Sequence, residues 1–269
     1  MIELKNITKS FANKNVLKDV NLTIANGKIT SLIGANGAGK STTIGIIANY
    51  FPKTGGEVQR NTLSIMPDAE TVYGNWTGKK FLTFMSDLKG GIAHEEWQEL
   101  ALKLGIQDSL NKKIKGYSFG MKKKLSFIQA FIGDFDTYIF DEPTSGVDVP
   151  SAELMMSLLN ELKGRNKAIL LTSHNLDELQ RVSDVIYILR DGVTELFNQT
   201  ENLGDSRVYY IQVQNPKTVA GLNLTNNQYE FTGTVNQLQP VIQMLLNEQI
   251  IIESIQVEQE TLAQAVFSK

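Results

Sequence analysis

The stretch GANGAGKST (34–42) decides the fold of this 269-residue chain. It fits the pattern G-x4-G-K-[ST] and lies between an apolar run typical of a buried strand, ITSLIG (29–34), and a helical run, STTIGIIANY (41–50). In this setting glycines allow successive backbone N–H groups to point at phosphate oxygens, at a helix N-terminus whose dipole favours negative charge. A chance glycine-rich turn would lack the strand and the helix on either side. The predicted nucleotide-binding residues are Gly34, Ala35, Asn36, Gly37, Ala38, Gly39, Lys40, Ser41 and Thr42.

Two carboxylates follow a second apolar strand, in YIFDEP (138–143). If this strand and the strand before the phosphate-binding loop are parallel neighbours in one sheet, their carboxyl ends lie side by side. A carboxylate at this strand end can then point towards the metal of a bound nucleotide. We expect Asp141 to hold Mg²⁺ together with Ser41, and Glu142 to orient or deprotonate the water that attacks the γ-phosphate, which Lys40 can reach. Acidic residues at strand ends are often only helix caps, but the phosphate-binding loop favours the chemical roles.

The order of apolar segments predicts an α/β fold. Alternating stretches at 2–8 and 16–24 indicate antiparallel strands, and strands alternating with helices after them imply a largely parallel sheet covered by helices. Helical periodicity from Thr77 onward indicates a helical insertion, at about residues 75–130. Beyond residue 204 the chain holds three basic and six acidic residues, and its pattern of strand, strand, helix and strand predicts a separate α+β module over 205–269.

Composition excludes several kinds of site and partner. The 26 basic and 29 acidic residues give a net charge of −3, so no overall positive field attracts nucleic acid. The lysine run 122–124 has no aromatic platform beside it, and we interpret it as a solvated helix face. The absence of cysteine excludes disulfides and thiolate metal sites, and two histidines nearly exclude a histidine metal cluster. No apolar run approaches the roughly 18 residues that cross a bilayer, so we expect a cytoplasmic protein.

A further motif carries a family resemblance. KGYSFGMKKKL (115–125) is similar to the signature of the ATP-binding cassette (ABC) ATPases, usually LSGGQ, and about the first 200 residues resemble this family. Ser118 and Gly120 match the signature, whereas Phe119 and Met121 depart from it. The resemblance implies that Ser118 and its helix N-terminus face the γ-phosphate held by an opposite subunit.

Other positions follow from the same resemblance. SGVD (145–148) is similar to the loop after the second carboxylate, with Asp148 at the family's aspartate. TSH (172–174) ends a strand and places His174 at the switch histidine, although a lone histidine is more often structural. Phe11 lies where the family stacks an aromatic side chain on adenine, and a core phenylalanine is the alternative.

One position departs more seriously from the family. Members usually carry a glutamine after the middle strand, in contact with Mg²⁺ and the membrane partner. SIMPDAET (64–71) corresponds to that loop and offers Asp68 instead. Its carboxylate would repel the γ-phosphate, bind the metal directly or point away.

The resemblance implies a P-loop NTPase cassette that uses ATP and Mg²⁺ as the nucleotide-binding subunit of an ABC transporter. Such a subunit pairs with itself or a paralogous ATPase and powers a membrane permease, on the inner face of the cell membrane. In the helical insertion, Trp76 and Phe81 are expected to be exposed contacts for that permease. The motif YSFGM and the ending ETLAQAVFSK resemble exporters of drugs, peptides or lipids. The alternatives are a non-transport ABC ATPase or a nucleotide-dependent sensor in translation or DNA repair.

Overall fold

The computed structural model describes residues 1–12, 14–66, 73–90, 94–197, 207–219 and 221–257. These residues divide into two compact units, one extending to Phe197 and the other beginning at Arg207. The domain boundary predicted near residue 204 lies outside the described residues.

The first unit combines strands and helices. Its described strands are β1 (Ile2–Phe11), β2 (Lys14–Ile24), β3 (Ile29–Ile33), β4 (Gly55–Gln59), β5 (Leu63–Met66), β6 (Thr137–Asp141), β7 (Ala168–Thr172), β8 (Val185–Arg190) and β9 (Val193–Phe197). Its described helices are α1 (Lys40–Ile47), α2 (Gly78–Leu88), α3 (His94–Lys103), α4 (Phe119–Phe131), α5 (Val149–Gly164) and α6 (Leu176–Val182).

All of these described strands join one mixed sheet, in the order β4-β1-β2-β9-β8-β3-β7-β6-β5. The run from β8 to β5 is parallel throughout, whereas β1 pairs antiparallel with both β2 and β4. The predicted largely parallel sheet with an antiparallel β subdomain is therefore confirmed.

The middle of the sheet places the predicted functional segments together. Every residue of β3 and β7 is buried, as expected for parallel strands covered on both faces. Because β3, β7 and β6 are parallel neighbours, their carboxyl ends meet at one edge of the sheet. The phosphate-binding loop, His174 and the two carboxylates follow these three strands, and ligands in open α/β sheets bind at such an edge.

The helical insertion packs more of its aromatic side chains than the sequence indicates. Phe81 is buried, so its predicted exposure is wrong. Trp76 remains half-buried, and its ring is stacked on the exposed Tyr73 with 4.8 Å between centroids. Of the two expected contacts for a membrane partner, only Trp76 keeps accessible surface.

A lysine connects the insertion to the sheet. Lys89, directly after α2, donates hydrogen bonds to the Ser64 hydroxyl (2.8 Å) and to the carbonyls of Gln129 and Ile132, the latter at 3.1 Å. A cation suits the carboxyl end of α4, where carbonyls lack helical partners. Burial of the amino group lowers the pKa of Lys89 from 10.5 to about 8.

The lowered pKa predicts a pH dependence of stability. Between pH 8 and 10.5 the unfolded chain keeps the Lys89 proton that the folded chain has lost, so the free energy of unfolding should rise with pH. The shift corresponds to a rise of about 3 kcal/mol across this range. Urea denaturation should therefore show that the free energies of unfolding of wild type and Lys89→Met diverge by this amount between pH 8 and 10.5. Lys79→Met, which removes an exposed charge from α2, is the control. A pH dependence of Lys89→Met that runs parallel to that of wild type would contradict the assignment.

The second unit is a small antiparallel module. Its described elements are β10 (Arg207–Val213), β11 (Asn223–Thr225), β12 (Gln228–Gly233), α7 (Val235–Asn247) and β13 (Ile252–Val257). The four strands form a sheet in the order β11-β12-β10-β13, and buried residues such as Ile211, Tyr229 and Leu245 form a core of its own. Thr234 begins α7 through a capping box with Gln237.

Candidate nucleotide-binding and hydrolysis site

The phosphate-binding loop requires glycine at two positions for different reasons. Gly39, at the N-terminus of α1, has a φ of 114°, which side chains disfavour. Gly34 lies so close to the chain that a Cβ atom would come within 2.3 Å of the Leu189 carbonyl oxygen. The loop backbone is therefore held against β8, with its amides gathered at the start of a helix.

The lysine of the loop folds back over it. Lys40 is buried, and its amino group donates to the carbonyls of Gly34 (2.7 Å) and Ala35 (3.3 Å). An ammonium group beside the loop amides is the arrangement that attracts phosphate oxygens.

A cavity of about 360 Å³, which we call the phosphate cavity, lies between this loop and the residues Asp141 and Glu142. Lys40, Ser41, Asp141 and Glu142 all line this one space. Hydroxyl and carboxylate oxygens are the ligands that Mg²⁺ prefers, so this donor set fits the metal of a nucleotide. The lining residues are Val16, Asn36, Gly37, Gly39, Lys40, Ser41, Thr42, Phe119, Lys123, Asp141, Glu142 and Ser145.

Thr172 at the end of β7 organises both carboxylate-bearing residues. Its hydroxyl donates to Asp141 Oδ1 (2.5 Å) and accepts from the Glu142 amide (3.0 Å). No pattern in the sequence indicates this role, because the contact joins strands that are neighbours only in the folded sheet.

Glu142 also meets the histidine predicted from the resemblance. Its Oε1 lies 2.7 Å from His174 Nε2, and both side chains keep access to solvent. The Glu142 backbone has a φ of 50°, in the left-handed region that a side chain disfavours. The end of β6 thus directs this carboxylate away from the strand and towards the histidine.

A buried carboxylate, missed in the sequence, links the two loops behind this pair. Glu178 accepts hydrogen bonds from the hydroxyls of Thr144 and Ser173, both at 3.0 Å. Thr144 follows Glu142 by two residues, and Ser173 directly precedes His174. The sequence signal is weak, since an acid in the first turn of α6 is equally typical of a helix N-terminus.

The signature-like segment begins α4 and packs on the loop after β6. Ser118 is the N-cap of the helix and accepts from the Met121 amide at 3.2 Å. A Cβ atom on Gly120 would lie 2.7 Å from the Gly146 carbonyl oxygen, so only glycine fits. The ring of Phe119 occupies the space that Gly146 leaves free, which accommodates the departure from the family's glycine. Ser118 is exposed and does not line the phosphate cavity of its own chain.

Asp148 lies apart from that cavity as well. It is the N-cap of α5, accepting from the Ser151 amide at 3.1 Å, and it pairs with Lys124 at 2.6 Å. Hydrogen bonds from Lys124 and Ser151 hold the pKa of the Asp148 carboxyl well below its usual range.

Two further predicted residues have different outcomes. Phe11 is 44% exposed and meets Phe51 edge to face at 5.7 Å between centroids, with the Lys9 amine 4.6 Å from its ring. The alternative of a core phenylalanine is therefore wrong. Asp68 lies outside the described residues.

Comparison with known proteins places this geometry in a family. A protein-family model with the description ABC transporter matches residues 17–145 of the sequence. An uncharacterized ABC transporter ATP-binding protein of Methanocaldococcus jannaschii is 32% identical over 222 residues, which cover 81% of this chain and 85% of that protein. The chain belongs to the ABC transporter ATP-binding proteins.

Solved ABC structures share its fold. An ATP-binding subunit of an ABC transporter is 26% identical with a TM-score of 0.69, over 76% of this chain and 91% of that one. A dimeric ATP-binding cassette bound to ADP and Pi, 24% identical, has a TM-score of 0.64 over 72% of this chain and 97% of that one, which is a likeness of fold. The predicted P-loop cassette fold is confirmed.

The relatives do not separate export from import. A ribose import ATP-binding protein of Lactococcus lactis is 28% identical over 71% of this ABC chain and 44% of that protein.

Among the described helices, none combines the length and the apolar character that crossing a bilayer requires.

Proposed function

We propose that this ABC subunit binds and hydrolyses ATP and thereby drives a separate membrane permease. The observation that carries the proposal is the single cavity shared by Lys40, Ser41, Asp141 and Glu142. Phosphate-binding, metal-binding and water-activating groups converge there from the loop after β3, from α1 and from the end of β6. A sensor that only binds nucleotide has no need of the last of these groups.

Each residue has one task in the proposed reaction. The loop amides and Lys40 bind the phosphates and stabilise the negative charge that develops on them. Ser41 and Asp141 would hold Mg²⁺, which neutralises phosphate charge when bound. Glu142 accepts a proton from the attacking water, and His174 Nε2, 2.7 Å from Glu142 Oε1, restricts the orientation of the carboxylate.

The proposed working form is a dimer with two ATP molecules between the subunits. Ser118 is exposed at the start of α4 and lies outside the phosphate cavity of its own chain, so it is free to face the nucleotide of a second subunit. The second subunit is a copy of this chain or a paralogue, and ATP-driven closure of the pair moves the permease. The structural relative that is dimeric with ADP and Pi supports this form.

For the direction of transport we propose export of drugs, peptides or lipids. The support is the resemblance of YSFGM (117–121) and of the ending ETLAQAVFSK to exporter subfamilies. Contact with the permease would place the protein at the cytoplasmic side of the membrane.

Phosphate release by the purified chain, with Mg²⁺ and ATP, tests the enzymatic proposal. We expect turnover that is lost in Lys40→Ala, since this variant lacks the ammonium group at the phosphates. Binding of ATP without turnover in the wild type would favour the sensor.

Coupling and direction are tested with the proposed membrane subunit, reconstituted together with this chain in lipid vesicles. In vesicles with the ATPase facing outward, export from the cytoplasm corresponds to uptake into the lumen. Loss of a preloaded substrate from the lumen would instead indicate import.

A further inference from the structure

The middle lysine of the run 122–124 is buried rather than solvated. Lys123 is 3% exposed, so the predicted solvated helix face is wrong at this position. Its amino group donates to the Glu142 carbonyl oxygen at 3.1 Å and lies 5.6 Å from the centroid of the Phe119 ring. A lysine is rarely buried unless its charge is compensated. Here the Glu142 carbonyl and the Phe119 ring provide contacts for the buried ammonium group.

Lys123 contacts the backbone of Glu142, the proposed general base, at a point that affects the conformation of that residue. Glu142 holds a φ of 50°, in the left-handed region that a residue with a side chain disfavours. Its amide is bound by the carbonyl and the hydroxyl of Thr172, at 3.1 and 3.0 Å. Its carbonyl is bound by Lys123. The peptide groups on both sides of the Glu142 Cα are thus held by different elements, β7 and α4, and this sets the direction of the side chain.

The same helix is connected to the following loop at other points. Lys124 pairs with Asp148 at 2.6 Å, and the ring of Phe119 packs on Gly146. The start of α4, which carries Ser118, and the segment 142–148 are therefore held together within one chain.

We propose that Lys123 is a positioning residue that holds Glu142 in its working orientation and links that orientation to the placement of α4. The inference rests on the proposed hydrolysis at Glu142. If Ser118 engages the nucleotide of a second subunit, a shift of α4 reaches the carboxylate of its own chain through the Lys123 amine. Hydrolysis at one site then depends on engagement at the other.

The test compares Lys123→Met with Lys123→Arg, which keeps a donor, and with Lys122→Met, which removes a charge from the half-buried neighbour. We expect Lys123→Met to lower kcat at least about tenfold, or 1.4 kcal/mol in the barrier. The rate is measured at saturating ATP, because Lys123 also lines the cavity shared by Lys40 and Asp141. Lys123→Arg should recover most of the loss, and Lys122→Met should match wild type. Unchanged kcat in folded Lys123→Met would overturn the proposal.

A double-variant cycle separates positioning from a general structural effect. In Glu142→Gln, slow hydrolysis is followed under single-turnover conditions with radiolabelled ATP, and adding Lys123→Met should lower it no further, because Lys123 acts through Glu142. Losses that multiply would overturn the proposal. If Lys123→Met does not fold, Lys123→Gln enters the same cycle. A wild-type chain that never hydrolyses ATP would refute the proposed function instead, and this result is distinct from every outcome above.

Discussion

Glu142→Gln should bind ATP as well as wild type does and hydrolyse it at least about a hundredfold more slowly, the usual contribution of a general base. The amide keeps the size and the hydrogen-bonding reach of the side chain, but it no longer accepts a proton from water. The phosphate loop is unchanged, so nucleotide affinity is preserved. Because the bound ATP persists, the closed dimer should accumulate, and sedimentation with ATP should show a species of twice the monomer mass.

A matched variant controls for loss of charge. Glu161→Gln removes an exposed carboxylate from α5 and should leave turnover and mass unchanged. A Glu142→Gln protein that stays monomeric with undiminished turnover would exclude Glu142 as the base.

Ser118→Arg should abolish hydrolysis while the monomer still binds ATP. A large cation at the exposed start of α4 blocks the approach of the nucleotide held by a second subunit, whereas the phosphate cavity of the same chain lacks Ser118 among its lining residues. Loss of the helix cap accounts for only about 1 kcal/mol of stability, and Ser118→Ala measures that effect separately. Equilibrium binding of a fluorescent ATP analogue, followed by a phosphate-release assay, checks both halves of the prediction.

Mixed dimers sharpen the same prediction. One subunit carrying Lys40→Ala and one carrying Ser118→Arg should together form a single intact composite site, with Lys40 and Ser118 from different chains. Each variant alone should form none. Collapse of ATP affinity in monomeric Ser118→Arg would show that the segment supports its own chain, and the dimeric arrangement would then be wrong.

Local chemistry was readable wherever neighbours in the sequence act together. A loop of glycines and a lysine between a strand and a helix is typical of phosphate binding. Two carboxylates after a buried strand add the groups proposed to hold the metal and to activate water. The alternation of strands and helices predicted the mixed sheet, since periodicity depends on the faces that each element buries. The sequence alone therefore determined the cassette fold and the residues proposed to bind the nucleotide.

Only the tertiary structure decided how these residues are supported. Thr172 bridges Asp141 and Glu142, and Glu178 joins the loops that carry Glu142 and His174. Lys123 belongs to a run that looks solvated by composition, yet its amine reaches the Glu142 carbonyl. A hydrogen bond between residues 19 to 34 positions apart leaves no periodic trace, and whether a lysine is buried depends on the elements packed around it rather than on its neighbours in the chain.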